Sequence, residues 1–288
     1  MNRTYLLILL FTALILSTTA YGDGSNPTAS DAAQTMHLLD EVVVKGSENL
    51  RSMRIMEIDT PVFIRGTDDD QVTVKLWSVK TGTAEMNLRY EIVGGEVWLS
   101  LRKPVGELGA AKNTALLVTD DASSSLEELL LDWDLEDLEV EFVAEITMPK
   151  SMNVVLGDAV MRAAITGVAG VDMKAGQGDF TLADITGFVR VRNNAGSLKL
   201  KNITGDVWIS DKGGAISVEN VTGLVTIDSD FDVALRIQDV TGDVTIASKL
   251  GGSAEVANVR GNVSVFSREP IKTACIGITG KLIVPENF

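Results

Sequence analysis

One short phrase recurs through the second half of this 288-residue chain. It appears as Ile165-Thr166-Gly167, Ile185-Thr186-Gly187, Ile203-Thr204-Gly205, Val221-Thr222-Gly223, Val240-Thr241-Gly242, Val259-Arg260-Gly261 and Ile278-Thr279-Gly280. The glycines step by 20, 18, 18, 19, 19 and 19 residues. A self-similar period near 19 predicts a solenoid, in which each repeat buries its apolar face only by stacking on the next. An antiparallel meander does not readily keep identical corner residues in one register through so many copies.

Aligned on the glycine, five positions per repeat are aliphatic or nearly so. In one repeat they are Leu198, Leu200, Ile203, Val207 and Ile209; in the next, Ile216, Val218, Val221, Val225 and Ile227. Side chains alternate faces along a strand, so these positions are expected to point inward, on two short parallel strands per turn. Six intervals at ~4.8 Å predict a rod of about 29 Å. Glycine permits the corner geometry. Asp184, Asn202, Asn220, Asp239 and Asn258 stand three residues before it. Asx side chains bond turn backbone, and stacked copies can bond the turns above and below. The threonines of the phrase are expected to form a parallel column.

The predicted organisation is all-β: a single-stranded β-solenoid (β-helix) over 151–288, preceded by an N-terminal β region over 41–150 that caps it. Val72-Thr73-Val74-Lys75-Leu76-Trp77 alternates strictly, and Tyr90 to Leu101 reads as a hairpin around Gly94-Gly95. Asp68-Asp69-Asp70 reads as a hairpin tip. Within this region, about 120–137 is a short acidic helical insertion: Ser125 and Glu128 have capping-box spacing, and Leu126, Leu129, Leu130 and Trp133 follow at helical spacing.

Residues 1–22 have one positive charge, an apolar run from Tyr5 to Ile15 and then small residues, the pattern of a secretory signal peptide. The run is short for a bilayer span, which needs ~20 residues. Residues 23–40 are small and polar and are expected to be a flexible N-terminus. The expected location is therefore outside the cytoplasm: periplasm, cell surface or extracellular, with no membrane span after signal cleavage. Net charge is −15, which argues against a nucleic-acid partner. The single cysteine, Cys275, allows no internal disulfide.

With these marks the chain resembles the bacterial putative-adhesin family of exported β-strand-repeat proteins, a domain of unknown function, and is similar to head GIN domain proteins. The resemblance spans about Glu41 to Val284. It is carried by Val62-Phe63-Ile64-Arg65-Gly66, Asp70-Gln71-Val72-Thr73-Val74, the closure at Met148-Pro149 and the repeated corners. It implies a β-solenoid of the cell envelope or surface and no catalytic residues.

The chemistry of the side chains points the same way. The one histidine, His37, falls in the stretch expected to be flexible, so a Ser-His-Asp or Cys-His pair has a poorly placed base. Cys275 occupies the slot held by Val256, Ile237 and Val218 and reads as a packed thiol. Asp228, Asp230, Asp232 and Asp239 approach calcium-loop spacing, but Val233 stands where the glycine belongs. Trp208 is an outward aromatic able to stack on a sugar, and Arg190, Arg192, Lys199 and Lys201 make a small basic spot that also serves to compensate charge. No catalytic, cofactor-binding or metal residue is assigned. The expected function is a non-enzymatic envelope scaffold or adhesin with a protein or carbohydrate partner and possible self-association through the solenoid ends. The alternatives are a β-helix carbohydrate-active enzyme and a calcium-stabilised structural module.

Overall fold

In a computed structural model, strands that lie up to about 100 residues apart in sequence share the same hydrogen-bonded ladders. The structure describes residues 37–45, 49–56, 58, 60–78, 87–102, 141–157, 160, 162–174, 178–193, 196–230 and 232–284. All of them belong to one unit, Thr35–Phe288. The expected signal peptide 1–22 and the acidic insertion at about 120–137 lie outside the described residues, as does most of the stretch 23–40.

Among the described residues the strands form two facing sheets of 11 strands each. From β8 (Asn153–Leu156) and β9 (Arg162–Thr166) onward the chain passes alternately between them. The pairs are β10 (Gly170–Lys174) with β11 (Asp179–Ile185), β12 (Val189–Asn193) with β13 (Ser197–Thr204), and β14 (Val207–Asp211) with β15 (Gly214–Thr222). They continue as β16 (Val225–Ser229) with β17 (Val233–Thr241), β18 (Val244–Ser248) with β19 (Gly252–Arg260), and β20 (Val263–Ser267) with β21 (Ile271–Ile278). The short β22 (Leu282–Ile283) ends the series. Odd members lie in one sheet, called A, and even members in the other, called B. Each pairs in parallel with its equivalent two strands away, for example Leu200↔Val218 and Ile209↔Ile227. This is the predicted β-solenoid.

The five inward positions are buried as expected: Leu198, Leu200, Ile203, Val207 and Ile209 are each 0–1% exposed. Simple alternation does not account for all of them, because the second and third are three residues apart. The structure supplies the reason. Asp184, Asn202, Asn220, Asp239 and Asn258 have φ of 54–57°. One left-handed residue kinks the strand and resets its facing, so the next aliphatic also turns inward. Asn and Asp tolerate this region better than other residues with a Cβ. The glycine three residues later is required by crowding: a Cβ on Gly223 would lie 2.2 Å from the Gly205 carbonyl oxygen.

The N-terminal strands extend the stack and do not form a separate cap alone, which revises the expected boundary at residue 151. β2 (Ser52–Ile55) and β3 (Val62–Thr67) form one rung; β6 (Glu96–Arg102) and β7 (Phe142–Pro149) form another. Their order in space is not their order in sequence. The β2/β3 rung lies between β6/β7 and β8/β9, with β3 parallel to both β7 and β9 and β2 parallel to both β6 and β8. Beyond β7 lie β4 (Val72–Ser78) and then β1 (His37–Val44), each antiparallel to its neighbour. Beyond β6 lies β5 (Asn87–Val93), antiparallel to it around Gly94-Gly95. These three strands are the capping part.

Three expectations change here. His37 to Asp40 belong to β1 and not to a flexible stretch. Asp68-Asp69-Asp70 joins β3 to β4 across the intervening β7, so it is not a hairpin tip; Asp68 pairs with Lys150. Eleven strands per sheet make ten steps, about 48 Å at ~4.8 Å each, longer than the rod read from the repeats alone.

Candidate functional site

Parallel, in-register pairing converts sequence period into straight rows of outward side chains. The corner row is the one the sequence announces. Asn202 Nδ2 donates to Asp184 Oδ1 at 2.9 Å, Asn220 Nδ2 to Asn202 Oδ1 at 2.8 Å, and Asn258 Nδ2 to Asp239 Oδ1 at 2.9 Å. Asp239 has no amide hydrogen to give, so it cannot donate back to Asn220 as the asparagines do. A second row follows each glycine: Asp206 accepts from the Leu224 N–H, Asp243 from the Asn262 N–H, and Asn262 from the Lys281 N–H, at 2.7–2.9 Å. These bonds from Asn262 hold the Asp243 carboxyl below its usual range. Thr204, Thr222 and Thr241 align as a column. An open polar groove of about 530 Å³ runs along this corner, lined by Asn220, Asp239, Thr241, Asn258, Arg260 and Thr279. Asn258 is already bonded to Asp239 and Asn220 to Asn202, so the corner is first a device that locks the stack.

The outer face of sheet B carries a different row. Trp98 pairs with Arg54, Arg54 with Val155, Val155 with Asp172, Asp172 with Arg190, and Arg190 with Trp208. Two exposed tryptophans thus stand in one line, each beside an arginine, five strand steps apart, about 24 Å. The Arg54 guanidinium lies 5.1 Å from the centre of the Trp98 ring, a cation–π contact. Arg54 Nε and Trp98 Nε1 both donate to Glu96, as does Ser52 Oγ. The bond from Arg54 is the largest cause holding the Glu96 carboxyl below its usual range. At the other end Asp172 accepts from Arg192 at 2.8 Å and pairs with Arg190 at 3.8 Å. Trp98 is therefore set in a neutralised, hydrogen-bonded frame, while Trp208 stands beside Arg190, which shares Asp172 with Arg192. Trp98 and Trp208 are 42% and 37% exposed, so each ring offers surface for contact.

The structure divides the basic spot read from the sequence. Arg190 and Arg192 lie on β12 in sheet B, whereas Lys199 and Lys201 lie on β13 in sheet A. Lys201 pairs with Glu219. Residues close in sequence across a corner sit on opposite faces. The partnership of Trp98 with Trp208 escaped sequence reasoning for the reverse reason: β6 joins this row only through β2, and no repeat phrase marks either strand.

The other candidates do not converge. Asp228 ends β16 in sheet B, Asp230 pairs with Lys249, and β17 carries Asp239 to the far corner. Among the described residues no three metal-ligating side chains cluster. Cys275 sits in the expected slot, half-buried because β21 is an outer strand, and burial pushes its thiol above the usual range. One buried group was not anticipated. Asp211 is 2% exposed in a corner column with Ser229, Ser248 and Ser267. Burial pushes its carboxyl up to about 6; the amides of Gly213 and Lys212 pull the other way without completing a bond to either oxygen.

No protein-family model matches the chain. No curated protein matches it either. Among solved structures it is similar to a putative cell adhesion protein from Clostridium sporogenes, at 9% identity and a TM-score of 0.27 over 83% of this chain and 99% of that one. It is also similar to a putative adhesin from Bacteroides fragilis, at 10% identity and 0.25 over 84% and 96%. A third is a putative adhesin from Parabacteroides distasonis, at 8% identity and 0.33 over 84% and 98%.

Proposed function

We propose that this protein is an exported, non-enzymatic adhesion scaffold of the cell envelope, and that the Trp98-to-Trp208 row is its contact line for a carbohydrate polymer. The row carries the reading. Two aromatic faces fixed on one rigid sheet suit a ligand that repeats its own surface along its length. Sugar rings present apolar faces that stack on tryptophan, and hydroxyls that bond the flanking arginine and carboxylate groups. Because Glu96 neutralises Arg54, and Asp172 offsets one of the two charges of Arg190 and Arg192, little net charge is left along the row and the ligand class is a neutral glycan. Two weak contacts on one scaffold act together, since the second binds at a high effective concentration once the first has formed. The apolar stretch in residues 5–15 supports export.

The test is equilibrium binding to a panel of neutral and acidic polysaccharides, with released chain ends assayed in parallel. Neutral glycans are expected to bind, and Trp98→Ala and Trp208→Ala each to weaken binding about tenfold, ~1.4 kcal/mol. Chain cleavage would overturn the non-enzymatic reading. Binding unchanged in both variants would remove the row as the contact line.

A further inference from the structure

We propose that copies of this protein stack head to tail, the last rung of one copy adding to the first strands of the next, so that both sheets run on through the junction. This inference is independent of the glycan reading.

Both sheets end in strands whose outer edges meet no described strand: β1 and β21 in sheet A, β5 and β22 in sheet B. Such edges are templates for pairing with another chain. β1 is antiparallel to β4 and β4 to β7, so β1 runs in the same direction as β21. A simple translation along the stack therefore places β21 on the next copy's β1 as one more parallel step.

The core columns fit that translation. In sheet A one inward column begins at Val42, passes through Val74 and Ile146, and ends at Val256 and Cys275. Both its ends, Val42 and Cys275, are only partly buried against the core. In sheet B a column begins at Ile92, passes through Val97 and Met53, and ends at Val263 and Leu282. Its ends are 53% and 44% exposed. One further step in register sets Cys275 against Val42 and Leu282 against Ile92. The same step sets Ile276, the most exposed large apolar residue at 72%, against Val43 at 41%. The apolar core is thus open at both ends, and each end offers what the other lacks.

Charge selects this arrangement over two like ends meeting. The first strands carry Asp40, Glu41 and Glu91 against Arg89, with Lys45 just beyond β1. The last rung carries Lys272 and Lys281, while Arg268 and Glu269 offset each other. In the register above, Lys272 lies diagonal to Glu41, within reach of a long side chain. A junction between two unlike surfaces does not close, so the product is an open filament. Its axial repeat is 11 steps, about 53 Å.

The experiment is a cross-link in the full chain. Neighbouring parallel strands bring Cα atoms within disulfide range, so Val42→Cys is expected to join Cys275 of the next copy. Mild oxidation should give a ladder of dimers, trimers and longer products on non-reducing gels, absent from the unsubstituted chain. Ile92→Cys combined with Leu282→Cys in a Cys275→Ser background tests the second sheet independently, should Val42→Cys fail to fold. Lys272→Glu should reduce the ladder at least fivefold, and adding Glu41→Lys should restore it. A product stopping at the dimer, or no cross-link with a folded variant of either kind, overturns the proposal. A ladder indifferent to Lys272→Glu overturns the register.

Discussion

From β10 to β21 every rung lies between the rungs that precede and follow it in sequence, whereas from β1 to β9 the chain returns to insert strands beside ones laid down much earlier. The first region needs only local closure, about 19 residues per added rung, and each rung repeats the last. The second joins Val62 to Ala144 and Arg54 to Trp98. Its paired strands are far apart in sequence, and bringing them together costs chain entropy before any contact compensates. The difference separates two tasks. Repetition makes length and straight rows of side chains; the out-of-order end covers β8 and β9 and places Trp98 in line with Trp208.

Removing the irregular end should have the largest effect. Deleting Glu41 to Pro149 strips β8 and β9 of one partner each and exposes parallel edges. The expected outcome is aggregation, measured by sedimentation; a soluble monomer would count against the capping role.

Single glycines sharpen the comparison next. A Cβ on Gly66, where β3 meets the corner after β9, would lie 1.8 Å from the Gly167 carbonyl oxygen, against 2.2 Å for Gly223 within the regular stack. Neither approach can be relieved by a side chain, because the opposing atom is backbone. Gly66→Ala and Gly223→Ala are both expected to cost more than about 4 kcal/mol, the range reserved for such clashes, with Gly66→Ala the worse. Denaturant titration checks the order.

Asp211 offers an intermediate effect of opposite sign. Its carboxyl stands at about 6 in the fold against an ordinary 3.8. A raised value means the folded state binds the proton more tightly than the unfolded chain, so stability falls as pH climbs from about 4 to 6 and the full cost remains above that. The shift corresponds to about 3 kcal/mol. Asp211→Ser, which extends the serine column of residues 229, 248 and 267, should stabilise the protein by up to that amount at pH 8. At pH 4 it should change little. Melting curves at the two pH values decide it.

The smallest expected effect concerns the kinks. Asn220 holds a φ of 55°. Asn220→Ala loses both the tolerance of that region and the bond to Asn202, and should cost about 1–2 kcal/mol. Asn220→Gly keeps the backbone freedom and should cost less. Equal losses would mean that the side-chain ladder, and not the kink, is what the position supplies.

What was legible in the sequence follows the same division. Gly205, Gly223 and Gly242 and the five aliphatic positions around each disclosed the solenoid, because a repeating unit writes its packing into its period. The spacing of three between Leu200 and Ile203 also held the left-handed kink, a signal that alternation alone does not explain. The placement of β2 beside β6 was not legible, since nothing in Ser52–Ile55 names its partner. For the same reason the sequence offered Trp208 as a lone aromatic, and the row with Arg54 and Trp98 emerged only from the fold. Asp211 was hidden differently: it occupies a column that holds Asn193 before it and serine after it, and only its burial sets it apart.

The central claim is a single axial stack whose irregular end and regular end lie far apart. A spin-label distance between Lys75→Cys in β4 and Lys272→Cys in β21, in a Cys275→Ser background and diluted into excess unlabelled protein so that each measured pair lies within one copy, tests it directly. These strands are nine steps apart in sheet A, so a narrow distribution near 43 Å is expected. A well-defined distance below about 30 Å, as a two-layer sandwich of the same strands would give, would contradict it.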